Sequence, residues 1–293
     1  MIYVNRHAGL IPQEVLNAAI EAHQQQLEAL PAAQRAAFIN RNAGIWRAFR
    51  AYLTQMSYGK CWYSECPEVQ SFLDIDHYRP KLEARRSENE CDPGYDWLAF
   101  SLGNFRLAAQ RSNRRSTNEE TQTIEGKGSW FPLLDGSPRA SWAHRCECDE
   151  LPVLLDPTLR RDVDLIDVNA EGRMSPSMTC IGSGRTRVKR SIELYGLNLP
   201  KLTDARKRVM REVIDLHFTL FNNIAAGSDH PSAADALPID RLINQIRRMT
   251  LPCSPYSKAA RAQLQLLSGG ASLCAQPEDI RISGESCSSV LSA

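Results

Sequence analysis

The eight residues Asp74-Ile75-Asp76-His77-Tyr78-Arg79-Pro80-Lys81 constrain this chain more than any other stretch. They close a turn-rich run, GKCWYSECPEVQSFLDIDHYRPK, whose aromatic and β-branched residues predict a hairpin ending at Pro80, because proline cannot donate to a sheet ladder. Strict strand alternation sends Asp76 and His77 to opposite faces. They share one cleft only if the strand ends or twists there, and the nearby Pro80 predicts that ending. Such a cleft offers the parts of phosphodiester hydrolysis. A carboxylate holds a divalent cation, an imidazole takes a proton from water, and Arg79 and Lys81 grip phosphates. The plainer alternative for Asp-His-x-x-Pro is a turn carrying a surface ion pair.

The rest of the chain sets that segment in a helical context. Residues 12–56 predict two helices separated at Pro31. RVKRSIELYGL predicts a helix that stops at Gly196. LTDARKRVMREVIDLHFTLFNNIAA predicts the longest one, capped by Thr203 or Asp204, with Val209, Val213, Leu216, Leu220 and Ile224 as its apolar stripe. Further helices are expected near 238–250 and 256–268, followed by a Ser- and Gly-rich tail from Gly269 that adds little to a core. The expected organisation is a helical segment over 1–57, a catalytic core with a loop-rich extension over 58–180, a helical region over 181–268 and a tail over 269–293. No run approaches the roughly 18 apolar residues of a membrane span, and no basic-then-apolar leader opens the sequence, so the expected location is the cytoplasm without membrane association. A formal charge of +1 confines any nucleic-acid surface to a local patch.

Between Gly103 and Ser116 the sequence reads GNFRLAAQRSNRRS, at a spacing from the Asp-His pair that suits a β-hairpin followed by a helix. This segment resembles the HNH nuclease motif N-L-x-x-L-C-x-x-C-N-x-x-K. Asn104 matches its middle Asn, Ala109 and Ser112 its two knuckle cysteines, and Asn113 its final metal-binding residue. Similarity extends to bacterial HNH nucleases of Septu and retron-associated anti-phage defence systems. It is carried by KCWYSE, HYRPK, YDWLAF, GNFRL, FPLLDG, LPVLLDPT and SIELYGLNLPKLTDAR, over roughly residues 45–215.

The resemblance implies an α+β fold, with a small ββα-metal HNH core embedded in a mainly helical shell, and a DNA endonuclease activity. It implies His77 as general base, Asn104 as the residue orienting the loop or imidazole of His77, and Asp76 and Asn113 as ligands of one divalent metal. Arg79, Lys81, Arg114 and Arg115 are candidate phosphate contacts by charge and proximity. An Asn ligand points to Mg²⁺ or Mn²⁺ as readily as Zn²⁺. The resemblance further implies a partner ATPase related to ABC or SMC proteins.

Departures from the motif keep other readings open. Ala109 and Ser112 replace one cysteine pair, and four residues separate Cys61 from Cys66, so a four-cysteine structural zinc is not expected from these positions. HRCEC, with His144, Cys146 and Cys148, offers a relocated site with Cys61 and Cys66, against the plainer reading of reduced cysteines. The alternatives to an enzyme are a degenerate HNH-fold scaffold that binds nucleic acid, or a zinc-braced interaction module. GSGRTR at Gly182 lacks the Lys-Ser/Thr of a phosphate loop and reads as a connector. Asp156, ending LPVLLD, reads as a turn or cap. Trp46, Trp97 and Trp130 read as core residues rather than base-stacking platforms.

Overall fold

The computed structural model describes residues 1–6, 8–17, 22–117, 122, 124–226 and 238–275. His7, His230 and Cys287 lie outside them, as does part of the first predicted helix. The chain folds as α+β, with helices and several two-stranded sheets. Two compact units emerge, the first from Tyr3–Ile166 with Pro176–Leu197, the second from Asp167–Ser175 with the chain from Asn198 onward.

In the first unit, α1 (Gln13–Leu16), α2 (Ala22–Glu28), α3 (Ala32–Arg41), α4 (Gly44–Ala48) and α5 (Arg50–Met56) precede the sheets. The helix predicted after Pro31 is thus three helices. At Asn42 both the backbone N–H and the side-chain Nδ2 donate to the Phe38 carbonyl, at 3.1 and 2.9 Å, which caps α3 before Gly44 restarts the helix.

Next come β1 (Asp74–His77), β2 (Glu83–Arg85), β3 (Cys91–Pro93), β4 (Phe105–Ala108) and α6 (Gln110–Asn113). The predicted local hairpin before Pro80 does not form. Instead β1 pairs antiparallel with β4, Asp74 opposite Ala108 and His77 opposite Phe105, while β2 and β3 form a separate hairpin inserted between them. The Cys61–Cys66 stretch closes on itself through Cys61 N–H to the Cys66 carbonyl, 2.9 Å, and Trp62 N–H donates to Leu107 of β4. Those backbone groups are therefore satisfied as a docked turn, leaving β1 to find its partner downstream. β1, β4 and α6 together give the ββα order.

Beyond α6 lie β5 (Ser116–Thr117), β6 (Ile124–Glu125), α7 (Arg160–Val163), β7 (Ile166–Val168), β8 (Met174–Pro176) and α8 (Ser183–Leu194). The glycine-rich stretch before Arg185 opens α8 instead of forming a connector: Gly182 takes φ +54° and the helix begins at Ser183. At its other end Gly196 adopts φ +60° and Leu197 N–H returns to the Ile192 carbonyl, the glycine stop anticipated from sequence. α8 belongs to the first unit, so 181–197 divides from the C-terminal helices. Its Ser191 hydroxyl accepts from Leu155 N–H, and its Arg187 holds the buried Asp162. Val153, Leu154 and Leu155 are buried. Asp156 accepts from Thr158 N–H, as a turn residue does, and pairs in the interior with Arg106 Nε at 2.8 Å. Burial opposes ionisation of Asp156, but the Arg106 charge outweighs it and holds the carboxyl below its usual range.

In the second unit α9 (Pro200–Ala226), α10 (Ile239–Thr250), α11 (Ser257–Gln265) and α12 (Gly270–Leu273) pack around Val213, Leu220, Leu242, Ile246, Ala260 and Leu264. Val209 and Leu216 join that cluster, whereas Ile224 is half exposed. The expected cap at Thr203 or Asp204 is displaced by Pro200, whose fixed φ and missing N–H suit the first helical position. The tail contributes more than expected up to Ala275, which is buried and donates its N–H to Thr250 Oγ1 at 2.8 Å. Among the described residues, no helix is long and apolar enough to cross a membrane.

Candidate active site

Asn104 ends β1 cleanly. Its Oδ1 accepts from Arg79 N–H and its Nδ2 donates to the Arg79 carbonyl, both at 2.8 Å, so one amide replaces a rung of backbone ladder. The amide thereby tethers the loop after His77, whereas the imidazole itself is held by other groups. His77 Nε2 lies 2.9 Å from the Ala99 carbonyl, and the ring meets Trp46 and Phe105 edge-on, at 5.0 and 5.2 Å. A carbonyl only accepts, so Nε2 carries the proton and Nδ1 holds the lone pair of the neutral ring. No described residue donates a hydrogen bond to Nδ1. Burial, and then the charge of Lys81, push the His77 pKa down to about 3, which keeps the imidazole neutral in the physiological range.

Asp76 points into a polar pocket of its own. Its Oδ2 accepts from the Tyr63 hydroxyl at 2.6 Å and its Oδ1 from Lys127 Nζ at 2.7 Å. Lys127 is 0% exposed and also donates to the His77 carbonyl at 2.6 Å. Tyr63 is stacked on Tyr195 at 3.9 Å, and burial, then Asp76, raise its pKa well above the ordinary tyrosine value. Lys127 and Tyr63 were not anticipated. The signal for Lys127 is the triplet Gly126-Lys127-Gly128. Lys127 N–H donates to Ser112 and Gly128 N–H to Asn113, which straps the triplet to α6. Gly126 has φ +94°, and a Cβ there would lie 1.9 Å from the Arg114 carbonyl oxygen, so only glycine lets the strap pass. Gly126→Ala is accordingly expected to cost about 2–3 kcal/mol in urea unfolding, and a variant as stable as the parent would refute this account of the strap.

Asp76, His77, Lys81, Glu83, Asn113 and Gly128 line one cleft of about 270 Å³. Asp76 and His77 both border this cleft, while the Asp76 carboxylate is 3% exposed and held by Tyr63 and Lys127. Asn113 Nδ2 donates to Asp74 at 3.1 Å, which leaves its amide oxygen as the coordinating atom. Lys81 sits with Nζ 5.1 Å from the Trp46 ring centre; burial lowers its pKa although Asp76 opposes that. The other predicted phosphate contacts diverge. Arg79 donates to the buried Glu150 at 2.9 Å and to the Glu147 carbonyl, so its guanidinium is engaged inside the protein. Arg114 is 62% exposed and forks onto Asp74. Arg115 lies beside Trp130. Trp46, Trp97 and Trp130 are buried.

Asp76 and Asn113 carry oxygen donors of the type a hard divalent ion takes, but the Lys127 ammonium already stands 2.7 Å from Asp76 Oδ1. Each carboxylate oxygen of Asp76 keeps a lone pair after its hydrogen bond, and with the Asn113 oxygen it offers the few protein ligands such an ion takes alongside water and phosphate. Among the described residues no three His, Cys, Asp or Glu side chains gather as a metal site, and no disulfide joins the described cysteines.

No family model matches the chain. It is similar to a Septu protein. Septu protein PtuB of Bacillus mycoides (strain KBAB4) is 29% identical over 164 residues, covering 55% of this chain and 50% of that protein. The chain spans about half the length of this curated relative. PtuB carries the name of one of the defence systems to which the motifs around His77 and Asn104 were likened.

Proposed function

We propose that this chain is a metal-dependent endonuclease of HNH type that hydrolyses DNA and serves a bacterial anti-phage defence system. The observation that carries the reading is the neutral His77, its tautomer fixed by the Ala99 carbonyl, at a cleft it shares with Asp76 and Asn113. His77 Nδ1 takes the proton of the attacking water. The Ala99 carbonyl favours the resulting imidazolium against burial and the Lys81 charge, which weaken His77 as a base, and the wall of Trp46 and Phe105 keeps the ring from swinging away. Asp76 and Asn113 would hold the ion, which when bound supplies charge to stabilise the pentacovalent transition state and the leaving oxygen. Lys81 adds a half-desolvated cation for a phosphate oxygen. The similarity to a Septu protein supports the defence setting, and the ABC/SMC-like ATPase belongs to the same reading as its partner.

A second reading, a scaffold that binds nucleic acid without chemistry, is favoured by one observation: the Lys127 ammonium already neutralises Asp76. Supercoiled plasmid separates the two. The nuclease reading expects nicked or linear product in Mg²⁺ or Mn²⁺ and none in EDTA, with Asn113→Ala needing about 10-fold or more metal for the same rate. Equal cutting in EDTA would reject the metal-dependent mechanism, and intact plasmid under every condition, with the ATPase partner present, would favour the scaffold.

A further inference from the structure

Three arginines that are far apart in sequence converge on one buried ring. The guanidinium carbons of Arg85, Arg115 and Arg190 lie 4.8, 5.7 and 4.7 Å from the centre of Trp130. They come from β2, from the chain after α6 and from α8. Gathering three like charges at most about a Debye length apart is unfavourable by itself. Two exposed carboxylates offset part of it, Glu88 at 3.0 Å from Arg85 and Glu193 at 2.9 Å from Arg190, and surface pairs of that kind are worth little. Burial, and then the neighbouring Arg85 and Arg190 charges, lower the pKa of Arg115 against the pull of Glu88. Trp130 is 2% exposed, so it cannot stack on a base; it is the floor on which the guanidiniums lie.

The cluster is continuous with the cleft. Arg85 exchanges backbone hydrogen bonds with both neighbours of Trp130, its N–H donating to Ser129 and its carbonyl accepting from Phe131. Ser129 and Gly128 line the cleft, and the Arg115 side chain lies across Gly128, where a Cβ would meet its Cγ at 2.7 Å. Charged side chains such as Arg85 and Arg115 face solvent in most folds; what this fold adds is their meeting with Arg190 beside the opening that holds His77.

The geometry points to a phosphate-binding track in which Arg85, Arg115 and Arg190, ranged on Trp130, hold the backbone of a DNA strand as it leaves the cleft. This rests on the nuclease reading for the identity of the strand, and it adds two residues and a direction to it. A polyanion relieves the mutual repulsion of the three guanidiniums; Arg85, whose Nε and Nη2 are engaged by Ser87 and Glu88, meets it through Nη1.

The test uses the full chain in EDTA, so that nothing is cut, and follows the anisotropy of a fluorescein-labelled DNA duplex across a salt series. Wild type should bind at low salt. Arg85→Gln/Arg115→Gln/Arg190→Gln should bind more weakly and reduce the slope of log affinity against log salt by about 2–3, roughly one unit for each phosphate that is no longer neutralised. The corresponding triple Lys variant should restore most of the slope, which a merely structural role on Trp130 would not predict. An unchanged slope in a folded triple Gln variant would overturn the track, as would absence of duplex binding by wild type at low salt. Plasmid cleavage that depends on His77 alongside an unchanged slope removes the track alone. A lowered slope in a protein that cuts nothing even with the ATPase partner present removes the nuclease reading and keeps the track.

Discussion

Lys127→Met is expected to lower the free energy of unfolding by about 3–5 kcal/mol, the cost of leaving a buried charge without its partner. Lys127 is fully buried, and its ammonium is the cation nearest Asp76, itself only 3% exposed. With the methionine in place, the Asp76 carboxylate keeps the Tyr63 hydroxyl and nothing of opposite charge at hydrogen-bonding distance. The His77 carbonyl loses its donor as well. Urea unfolding in EDTA measures the loss. Lys127→Met/Asp76→Asn should recover most of it, because removing both charges removes the desolvation penalty that made the single change severe. A loss under about 1 kcal/mol for the single variant would mean that Asp76 is solvated or protonated, against its placement here. The same substitution bears on the metal, since it removes a positive charge from the carboxylate that would hold the ion.

His77 gives the second large effect, and its sign follows from burial. Its pKa in the folded chain is about 3, below the ordinary 6.5 it regains on unfolding. Between these values the unfolded chain binds the extra proton, so stability rises with pH there. The contribution is complete above about pH 6.5 and is lost as the pH falls towards 3. Between about pH 7 and pH 4.5 the imidazole alone should cost about 2–3 kcal/mol. Carboxylates also titrate at the acid end, so the informative quantity is the difference between wild type and His77→Asn, each unfolded in urea at both pH values in EDTA. The variant should lose less stability on acidification. Identical losses would place the ring in water, and with that the hydrophobic wall of Trp46 and Phe105 would lose its function.

The parts of this site that were legible are those that local chemistry dictates. Pro80 and the Asp-His pair mark a strand end, and Asn104 and Asn113 fall where a ββα order puts them. Gly196 stops α8 because a residue at positive φ was needed there. The pairing of β1 with β4 was not legible, since an entire hairpin, β2 with β3, is inserted between the partners and no turn residue fixes their register. Lys127 was missed for a related reason: it reaches Asp76 from 51 residues away, along a strap whose only mark is a pair of glycines. Charge alone also misleads. Arg79 and Arg115 look alike in the sequence, yet one is held by Glu150 within the protein and the other lies at the surface beside Trp130.

Cleavage of supercoiled plasmid by His77→Ala beside the wild type, with Mg²⁺ or Mn²⁺, tests the central claim most directly. Circular dichroism and urea unfolding at neutral pH confirm that the variant is folded. The account predicts a rate lower by about 10²–10⁴-fold, the usual worth of a placed general base. Metal-dependent cutting at an undiminished rate in His77→Ala would contradict it, because the proton of the attacking water would then be going somewhere else.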